Sequence, residues 1–399
     1  MASGSSRSAF PRDVVNERVR SLSKRFRKQS ANGLVAQWEL RVDGQPFTIS
    51  IGDHACTVRE GAAAHPHTVI STGAATWFAI DEGTITGPQA FLDRELSVQG
   101  NLDLAVRLQT LFRPWKRARR ASDLDQVEIE ADGMTLSCYL IGRGSPILLL
   151  HGLGGSKISM VPLLGPLSEN HRLIVPDLPG HGESDKPPAD YSPRFYARVV
   201  RHLMDRLEVD QPVIVGNSMG GRIGLELALR SANRVKALVL ICAAVPGLRW
   251  RYLMGFLRVL PSEFASIPFP LRERWMQRML DNLFSRPDDI GTEEIRLAAR
   301  DFIRVYKEPK ARVALLSSMR HVVTESKEPF WASLRRIKHP SLVMVGEDDR
   351  LMPARLGIRL AHALPNSELV LLPKTGHVPQ FEATPKVLDA TTSFLSKLS

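Results

Sequence analysis

The chain has 399 residues, a hydrophobic share of 43% and a formal net charge of +11. This length exceeds what one ordinary hydrophobic core occupies, so we expect two or three domains. The apolar runs are too short for a membrane-spanning helix, and the first 30 residues lack the apolar stretch of a secretory signal, so we expect a soluble, cytoplasmic protein.

The cysteines and the basic residues each suggest a kind of site that the rest of the sequence does not support. Cys56, Cys138 and Cys242 are widely separated and odd in number, which favours buried small hydrophobic residues over disulfides or a metal site. Basic residues cluster at 18–28, 113–120 and 249–278 without any nucleic-acid-binding module. The charge therefore predicts solvated helix faces and a linker, with weak binding to anionic membranes as the functional alternative and no nucleic-acid partner.

The N-terminal third predicts a small α+β domain. Apolar residues at helical spacing between residues 14 and 30 predict a helix, and four short runs with strand-like alternation follow, which predicts an antiparallel meander. The runs are VAQWELRV (35–42), PFTISIG (46–52), ACTVREG (55–61) and HTVIST (67–72). The segment TGPQAFLDRELSVQGNLDLAVRLQTLF (86–112) then predicts helices.

A change of composition at FRPWKRARRASDLDQ (112–126) marks the best domain boundary, because a proline and a basic run are followed by small polar residues without apolar periodicity. We therefore expect an α+β domain at residues 10–115, a basic linker at 116–126 and a second domain at 127–399.

The first of these domains resembles the sterol carrier protein type two family over roughly residues 10–115. The resemblance rests on the order of a helix, WELRVDG (38–44), TISIGDHACTVREG (48–61), ATWFAIDEG (75–83) and the helical segment that ends at LQTLF. It implies an apolar tunnel that holds a fatty acyl chain, a sterol or a similar lipid. No residue of this half is typical of a nucleophile or a metal ligand.

Strands and helices alternate in the second domain. Its apolar strands are predicted at 146–150, 172–176, 212–216, 237–242, 341–345 and 368–372, and its helices at 194–208, 219–230, 354–364 and 384–397. Continuous apolar strands are typical of a mostly parallel sheet covered on both faces, which predicts a doubly wound α/β fold. A helical insertion rich in Trp, Phe and Arg at 246–335 reads as a cap above the carboxyl ends of the strands.

The sequence VIVGNSMGGR (213–222) predicts a nucleophile elbow. A serine on a sharp turn between a strand and a helix has strained backbone angles, so Gly216 and Gly220 are needed two residues before and two after Ser218. The apolar strand before this motif and the helical RIGLELALR after it supply the expected context.

An acid and a histidine follow in the order that such a serine needs. GEDDRLMP (346–353) places Asp348 and Asp349 after a strand, and PKTGHVPQFE (373–382) places His377 after the last strand. Residues 127–399 resemble the α/β-hydrolase superfamily, which implies a catalytic triad of Ser218, an acid and His377. The superfamily's usual form is a glycine, two variable residues, an aspartate and a proline four positions later, and Gly346, Asp349 and Pro353 fit it, so the resemblance implies Asp349 as the acid. Asp348 is the alternative acid, and otherwise a turn or helix-capping carboxylate.

A tetrahedral intermediate also needs backbone donors. We expect one at the amide of Met219, directly after the nucleophile, and a second in the loop HGLGGSK (151–157). The resemblance implies that His151 and Gly152 shape this turn and that the Leu153 amide donates.

These features predict a serine hydrolase that acts on a lipophilic ester or thioester, with a lipid or acyl chain held by the N-terminal domain. No motif calls for a metal or an organic cofactor, so we expect neither. Two alternatives stay open. The first is hydrolysis of a carbon–carbon bond, since the string GNSMGG resembles that of relatives with this activity, but those relatives usually have aromatic residues after the histidine where this chain has Val378 and Pro379. The second is a lipid carrier or sensor whose hydrolase half is inactive. The substrate's identity and the oligomeric state are not predicted.

Overall fold

The chain divides into two compact units in the computed structural model, residues 1–126 and 127–399. The described residues are 10–31, 33–113, 115, 124–247, 277–278, 281–287, 302–303 and 305–398. Most of the predicted linker, at 116–123, and much of the predicted cap, at 248–276, 279–280, 288–301 and 304, therefore lie outside them. Within the described residues, no helix is both long enough and apolar enough to cross a membrane.

The N-terminal unit consists of a sheet and short helices. Its strands are β1 (Ala36–Val42), β2 (Gln45–Gly52), β3 (Ala55–Glu60), β4 (Thr68–Thr72) and β5 (Leu96–Gly100). Its helices are α1 (Arg12–Arg20), α2 (Leu22–Arg25), α3 (Lys28–Ala31), α4 (Ala74–Asp81), α5 (Gly87–Leu92) and α6 (Leu102–Thr110). The sheet has the order β3-β2-β1-β4-β5.

Two expectations for this sheet were wrong. Strands β1, β2 and β3 form the expected antiparallel meander, but β4 returns to lie parallel to β1 on its other side. Strand β5 lies within the segment expected to be helical and pairs antiparallel with β4. The alternation of buried Leu96 and Val98 with exposed Ser97 and Gln99 has the period of a strand, but a run this short between two helices is masked by their periodicity.

An apolar cavity of about 110 Å³ lies inside this unit. Its apolar walls are the side chains of Leu22, Ile70, Trp77, Ile80, Ile85, Leu96, Ala105, Leu108 and Phe112. Arg27, Arg113 and Asp81 also line it, so apolar and charged groups meet around one space. The volume is below the roughly 300–1,000 Å³ of ordinary small-molecule sites.

Some residues expected to be solvated or buried behave differently. Arg18 is buried, and its guanidinium donates to Asp81 at 2.6 Å and to Glu82 at 2.8 Å, so part of the first basic cluster is an internal ion-pair network. The three cysteines are free thiols, as expected. Cys138 and Cys242 are buried, but Cys56 is only partly buried because it lies on the edge strand β3.

The second unit is an α/β sandwich around one large sheet. Its strands are β6 (Asp125–Ala131), β7 (Met134–Ile141), β8 (Ser145–Leu150), β9 (His171–Pro176), β10 (Val213–Asn217), β11 (Ala237–Ile241), β12 (Ser341–Gly346) and β13 (Ser367–Leu372). Its helices are α7 (Leu164–Ser168), α8 (Pro193–Arg206), α9 (Met219–Arg230), α10 (Pro309–Thr324), α11 (Lys327–Ser333), α12 (Ala354–Ala363), α13 (Pro379–Glu382) and α14 (Thr384–Ser396).

The order of the eight strands, β13-β12-β11-β10-β8-β9-β7-β6, confirms the doubly wound fold. Strands β8 to β13 pair in parallel, while β7 pairs antiparallel with β9. The edge strands β6 and β7 were not among the predicted strands. Because β8, β10, β11 and β12 are parallel neighbours, the loops that follow them emerge at one edge of the sheet, which is where such folds bind ligands.

Two glycines of the N-terminal unit have positive φ angles, but only at one of them would a β-carbon also collide with a neighbouring strand. Gly83 (φ +71°) has open space where a β-carbon would stand, whereas a β-carbon at Gly100 (φ +101°) would lie 2.4 Å from the carbonyl oxygen of His67. We expect Gly83→Ala to cost about 1 kcal/mol of unfolding free energy, and Gly100→Ala to cost several-fold more because β4 and β5 must also separate. Urea titration of both variants measures this. Equal losses would contradict the close approach at Gly100.

Candidate active site

Ser218 stands at the joint between β10 and α9 in a strained conformation. Its backbone angles are φ 53° and ψ −112°, in a region that side-chain-bearing residues rarely adopt. A β-carbon at Gly216 would lie 2.4 Å from the Gly220 carbonyl carbon, and one at Gly220 would lie 2.1 Å from the Leu150 carbonyl oxygen. The two glycines of the motif therefore let the turn close and let α9 approach β8.

The structure brings together the three side chains that the sequence nominated. His377 Nε2 lies 2.9 Å from Ser218 Oγ, and His377 Nδ1 lies 2.7 Å from Asp349 Oδ2. The second oxygen of Asp349 accepts the amides of Leu351 and Met352 at 2.9 and 2.7 Å. A carboxylate fixed in this way orients the imidazole so that Nε2 faces the serine hydroxyl.

The two candidate acids have different surroundings. Asp349 is 5% exposed and faces His377, whereas Asp348 is exposed and accepts a hydrogen bond from the Ser285 hydroxyl. The geometry therefore favours Asp349 as the partner of the histidine. Asp348 contacts the described fragment 281–287 instead.

The loop that carries His377 is held by groups that the sequence did not nominate. The side-chain amide of Asn217 donates to the His377 carbonyl at 3.1 Å, and the Leu283 carbonyl accepts the His377 amide at 2.6 Å. Glu382 accepts the Gly376 amide at 2.9 Å. The only signal in the sequence was Asn217, a polar residue at the end of an apolar strand directly before the serine. A polar side chain buried at such a position is usually hydrogen-bonded.

The two segments that carry the expected oxyanion donors both adjoin the serine. Met219 begins α9, and Gly152 lies so close that a β-carbon on it would be 3.3 Å from the Ser218 β-carbon. Within the described residues, neither the Met219 amide nor the Leu153 amide has a protein acceptor. Two amides without acceptors beside a nucleophile fit an oxyanion hole.

Two buried histidines lie behind this loop and do not face the serine. His151 Nδ1 donates to the Gly152 carbonyl and its Nε2 accepts the Leu178 amide, which requires a neutral ring. Burial lowers the pKa of His151 and lowers the pKa of His181 from 6.5 to about 3. Both rings therefore stay uncharged at neutral pH, which agrees with the structural role expected for His151.

Cys242 is the unexpected neighbour of the triad. Its sulfur, a carboxylate oxygen of Asp349 and a nitrogen of His377 lie within 4.8 Å of one another, and in the described part of the chain they are the one group that could hold a metal ion. The pairing of His377 with Ser218 and Asp349 already accounts for two of its members. Burial raises the pKa of the Cys242 thiol well above its ordinary value, so the sulfur is protonated and a poor metal ligand.

Part of the predicted cap lies over this edge of the sheet. A β-carbon at Gly154 would lie 2.9 Å from the Phe302 ring and 3.8 Å from Leu315, and one at Gly180 would lie 2.4 Å from Ala314. Helix α10 is also joined to α8, where the hydroxyls of Ser318 and Tyr196 are 2.7 Å apart. The half-buried apolar side chains of Phe302 and Leu315 thus pack against the loop after β8 at Gly154.

Comparison with family models matches both parts of the chain. A model described as alpha/beta hydrolase fold matches residues 145–384, and a model of the SCP-2 sterol transfer family matches residues 15–113.

Individual relatives match about two thirds of the chain. A 2-hydroxymuconate semialdehyde hydrolase of Pseudomonas putida is 30% identical over 279 residues, which are 68% of this chain and 94% of that protein. An uncharacterized protein of Mycobacterium tuberculosis is 27% identical over 64% of this chain and 76% of its own length. The solved structure of a thermophilic esterase from Thermogutta terrifontis superimposes with a TM-score of 0.59 at 25% identity, covering 69% of this chain and 99% of the esterase.

His181 gives a pH-dependence with a definite sign. The unfolded chain binds a proton at this residue below about pH 6.5, whereas the folded chain does so only near pH 3, so acid favours unfolding. Between roughly pH 6 and 4 His181 lowers the unfolding free energy by up to about 1.4 kcal/mol per pH unit. We expect His181→Leu to reduce the slope of unfolding free energy against pH by up to about 1.4 kcal/mol per pH unit, which corresponds to one proton. Urea titration at several pH values measures this slope. An unchanged slope would show that His181 is protonated in the native state.

Proposed function

Because a model of the alpha/beta hydrolase fold matches more than half of it, the chain belongs to the alpha/beta hydrolase family, and we propose that it is a serine hydrolase acting on lipophilic esters or thioesters. The observation that carries the proposal is a chain of two hydrogen bonds. It joins Ser218 Oγ to His377 Nε2 at 2.9 Å, and His377 Nδ1 to Asp349 Oδ2 at 2.7 Å.

The proposed reaction follows from this geometry. His377 Nε2 takes the proton of Ser218 as its oxygen attacks the carbonyl carbon of the substrate. The amides of Met219 and Leu153 stabilise the negative charge on the carbonyl oxygen, and Asp349 stabilises the imidazolium that forms. His377 then gives its proton to the leaving alcohol or thiol. Water then attacks the acyl carbon while His377 takes its proton, and His377 returns that proton to the Ser218 oxygen as the carboxylic acid leaves.

Two features support a lipophilic substrate. The described cap residues beside Gly154 in the loop after β8, Phe302 and Leu315, are apolar. The N-terminal domain, which matches the SCP-2 sterol transfer family, contains an apolar cavity with Arg27 and Arg113 on its lining. We propose that this domain holds a lipid with an acidic or polar head. Its cavity is small, so binding a whole chain requires the lining side chains to move apart.

A second candidate is hydrolysis of a carbon–carbon bond. It is favoured by the 30% identity to a 2-hydroxymuconate semialdehyde hydrolase. Against it, Val378 and Pro379 follow His377, whereas carbon–carbon hydrolases of this fold usually have aromatic residues there. Parallel assays on p-nitrophenyl esters and on 2-hydroxy-6-oxo-dienoate ring-fission products distinguish the two, since a large preference for the dienoates would replace the ester proposal.

The triad is tested with a matched pair of acid variants. We expect Ser218→Ala to abolish labelling by a fluorophosphonate, and Asp349→Asn to lower kcat for a medium-chain ester about 10⁴-fold, because the histidine loses its orienting carboxylate. Asp348→Asn, the adjacent control, should retain kcat within a few-fold. Loss of activity in the Asp348 variant alone would reassign the acid, and lack of wild-type labelling with lipid still bound would favour a carrier.

The N-terminal cavity is tested by filling it. Ala105 on α6 lines the cavity, so Ala105→Trp should expel bound lipid, whereas Ala75→Trp on the exposed face of α4 should not. Mass spectrometry of lipid extracted from the purified full chain, on a Ser218→Ala background, measures retention. Equal retention in both variants would exclude this cavity as the lipid site.

A further inference from the structure

A buried ion pair joins the loop after β8 to the loop after β9. Lys157, at the end of HGLGGSK, is 1% exposed, and its ammonium lies 2.7 Å from Asp177 Oδ2 and 3.2 Å from Glu183 Oε2. The same ammonium stands 5.1 Å from the centre of the Tyr139 ring. A lysine is almost never buried this fully unless it is paired.

Asp177 holds the loop by its backbone as well as by its charge. Its Oδ1 accepts the Lys157 amide at 2.6 Å, and its Oδ2 accepts the Glu183 amide at 2.9 Å in addition to the ammonium. A β-carbon at Gly182 would lie 2.3 Å from this carboxylate, so the turn closes tightly around it. Asp177 is fully buried, which leaves these donors as its environment.

The loop between β8 and Lys157 is thus fixed at both ends. At its start, the His151 ring accepts the Leu178 amide at 3.0 Å. At its end, Lys157 is held by Asp177. Between them lie Gly152, Leu153, Gly154, Gly155 and Ser156, and glycines leave a backbone free to adopt many conformations. The Gly155 amide donates to the Gly152 carbonyl at 3.1 Å and closes a turn within this segment, and the two held ends fix the direction of that turn and of the Leu153 amide in it.

A buried ion pair is not explained by stability alone. The cost of removing two charges from water offsets most of their attraction, and apolar replacements of the same volume are often equally stable. What such a pair supplies is a specific geometry, because three donors converge on one carboxylate. Here that geometry lies at the base of the segment that carries the proposed oxyanion donor.

We propose that Lys157 and Asp177 are positioning residues that hold the Leu153 amide in the direction required by the oxyanion. This role rests on the proposed serine hydrolase function. The pair touches no substrate and acts only through the loop 151–157. Transition-state stabilisation therefore depends on it, while substrate binding does not.

Steady-state kinetics of Lys157→Met and Asp177→Asn test the proposal. Loss of one oxyanion donor costs about 10²–10³-fold in kcat, so a misdirected donor should lower kcat roughly 10–100-fold. KM should stay within about threefold of the wild type, and the pH profile of kcat should keep its shape because His377 is untouched. Affinity for an alkyl boronic acid, which mimics the tetrahedral state, should fall in parallel with kcat.

Arg198→Met is the matched control, because it removes one positive charge from the exposed ion pair with Asp132. It should leave kcat and boronic acid affinity unchanged. Amide hydrogen exchange of residues 151–157 gives a second readout, and we expect faster exchange in both pair variants. If one of the two pair variants fails to fold, exchange measured in the other variant still reports on the loop.

Unchanged kcat and unchanged exchange in a folded pair variant would overturn the positioning role. A rise in KM in both pair variants, with no loss of boronic acid affinity, would also overturn it and would assign the pair to substrate binding. Failure of the wild type to hydrolyse any ester or to be labelled would instead defeat the proposed function, and unchanged exchange would then remove the positioning role as well.

Discussion

The close approach of α9 to the sheet is the constraint on which the rest of the hydrolase unit depends. Ser218 adopts its strained angles because Gly216 and Gly220 allow backbone contacts that a β-carbon would block, one of them against Leu150 of β8. The same contact brings the loop after β8 next to the serine. Nucleophile and proposed oxyanion loop are therefore positioned by one packing event, and strain of this kind persists only where the surrounding structure enforces it.

The parallel sheet then collects the remaining groups at one edge. Asp349 follows β12, His377 follows β13, and the loop with Asp177 follows β9. These residues come from distant parts of the sequence, but the carboxyl ends of parallel strands share an edge. The Asn217 side-chain amide, which donates to the His377 carbonyl, and the Glu382 carboxylate, which accepts the Gly376 amide, then fix the histidine loop. The site is assembled by topology and adjusted by buried polar groups.

The N-terminal unit shows where local patterns are insufficient. Alternating runs correctly indicated β1 to β4, but the return of β4 to the far side of β1 depends on which strand edge is free, and no local pattern records that. Strand β5 was hidden between two helices for a similar reason. The charge pattern of α1 was also misleading, because Arg18 finds Asp81 only after the chain folds back by more than 60 residues.

The sequence by itself determined the two-part organisation, the doubly wound class and the nomination of Ser218, Asp349 and His377. Each depends on a short-range rule: apolar periodicity, glycine spacing around a strained turn, or the position of a polar residue after a strand. Tertiary structure alone decided which aspartate faces the histidine, which amides lack acceptors, and that Lys157 is buried against Asp177. These are contacts between residues far apart in the chain, and their distances and burial are set only when the sheet and its loops pack together.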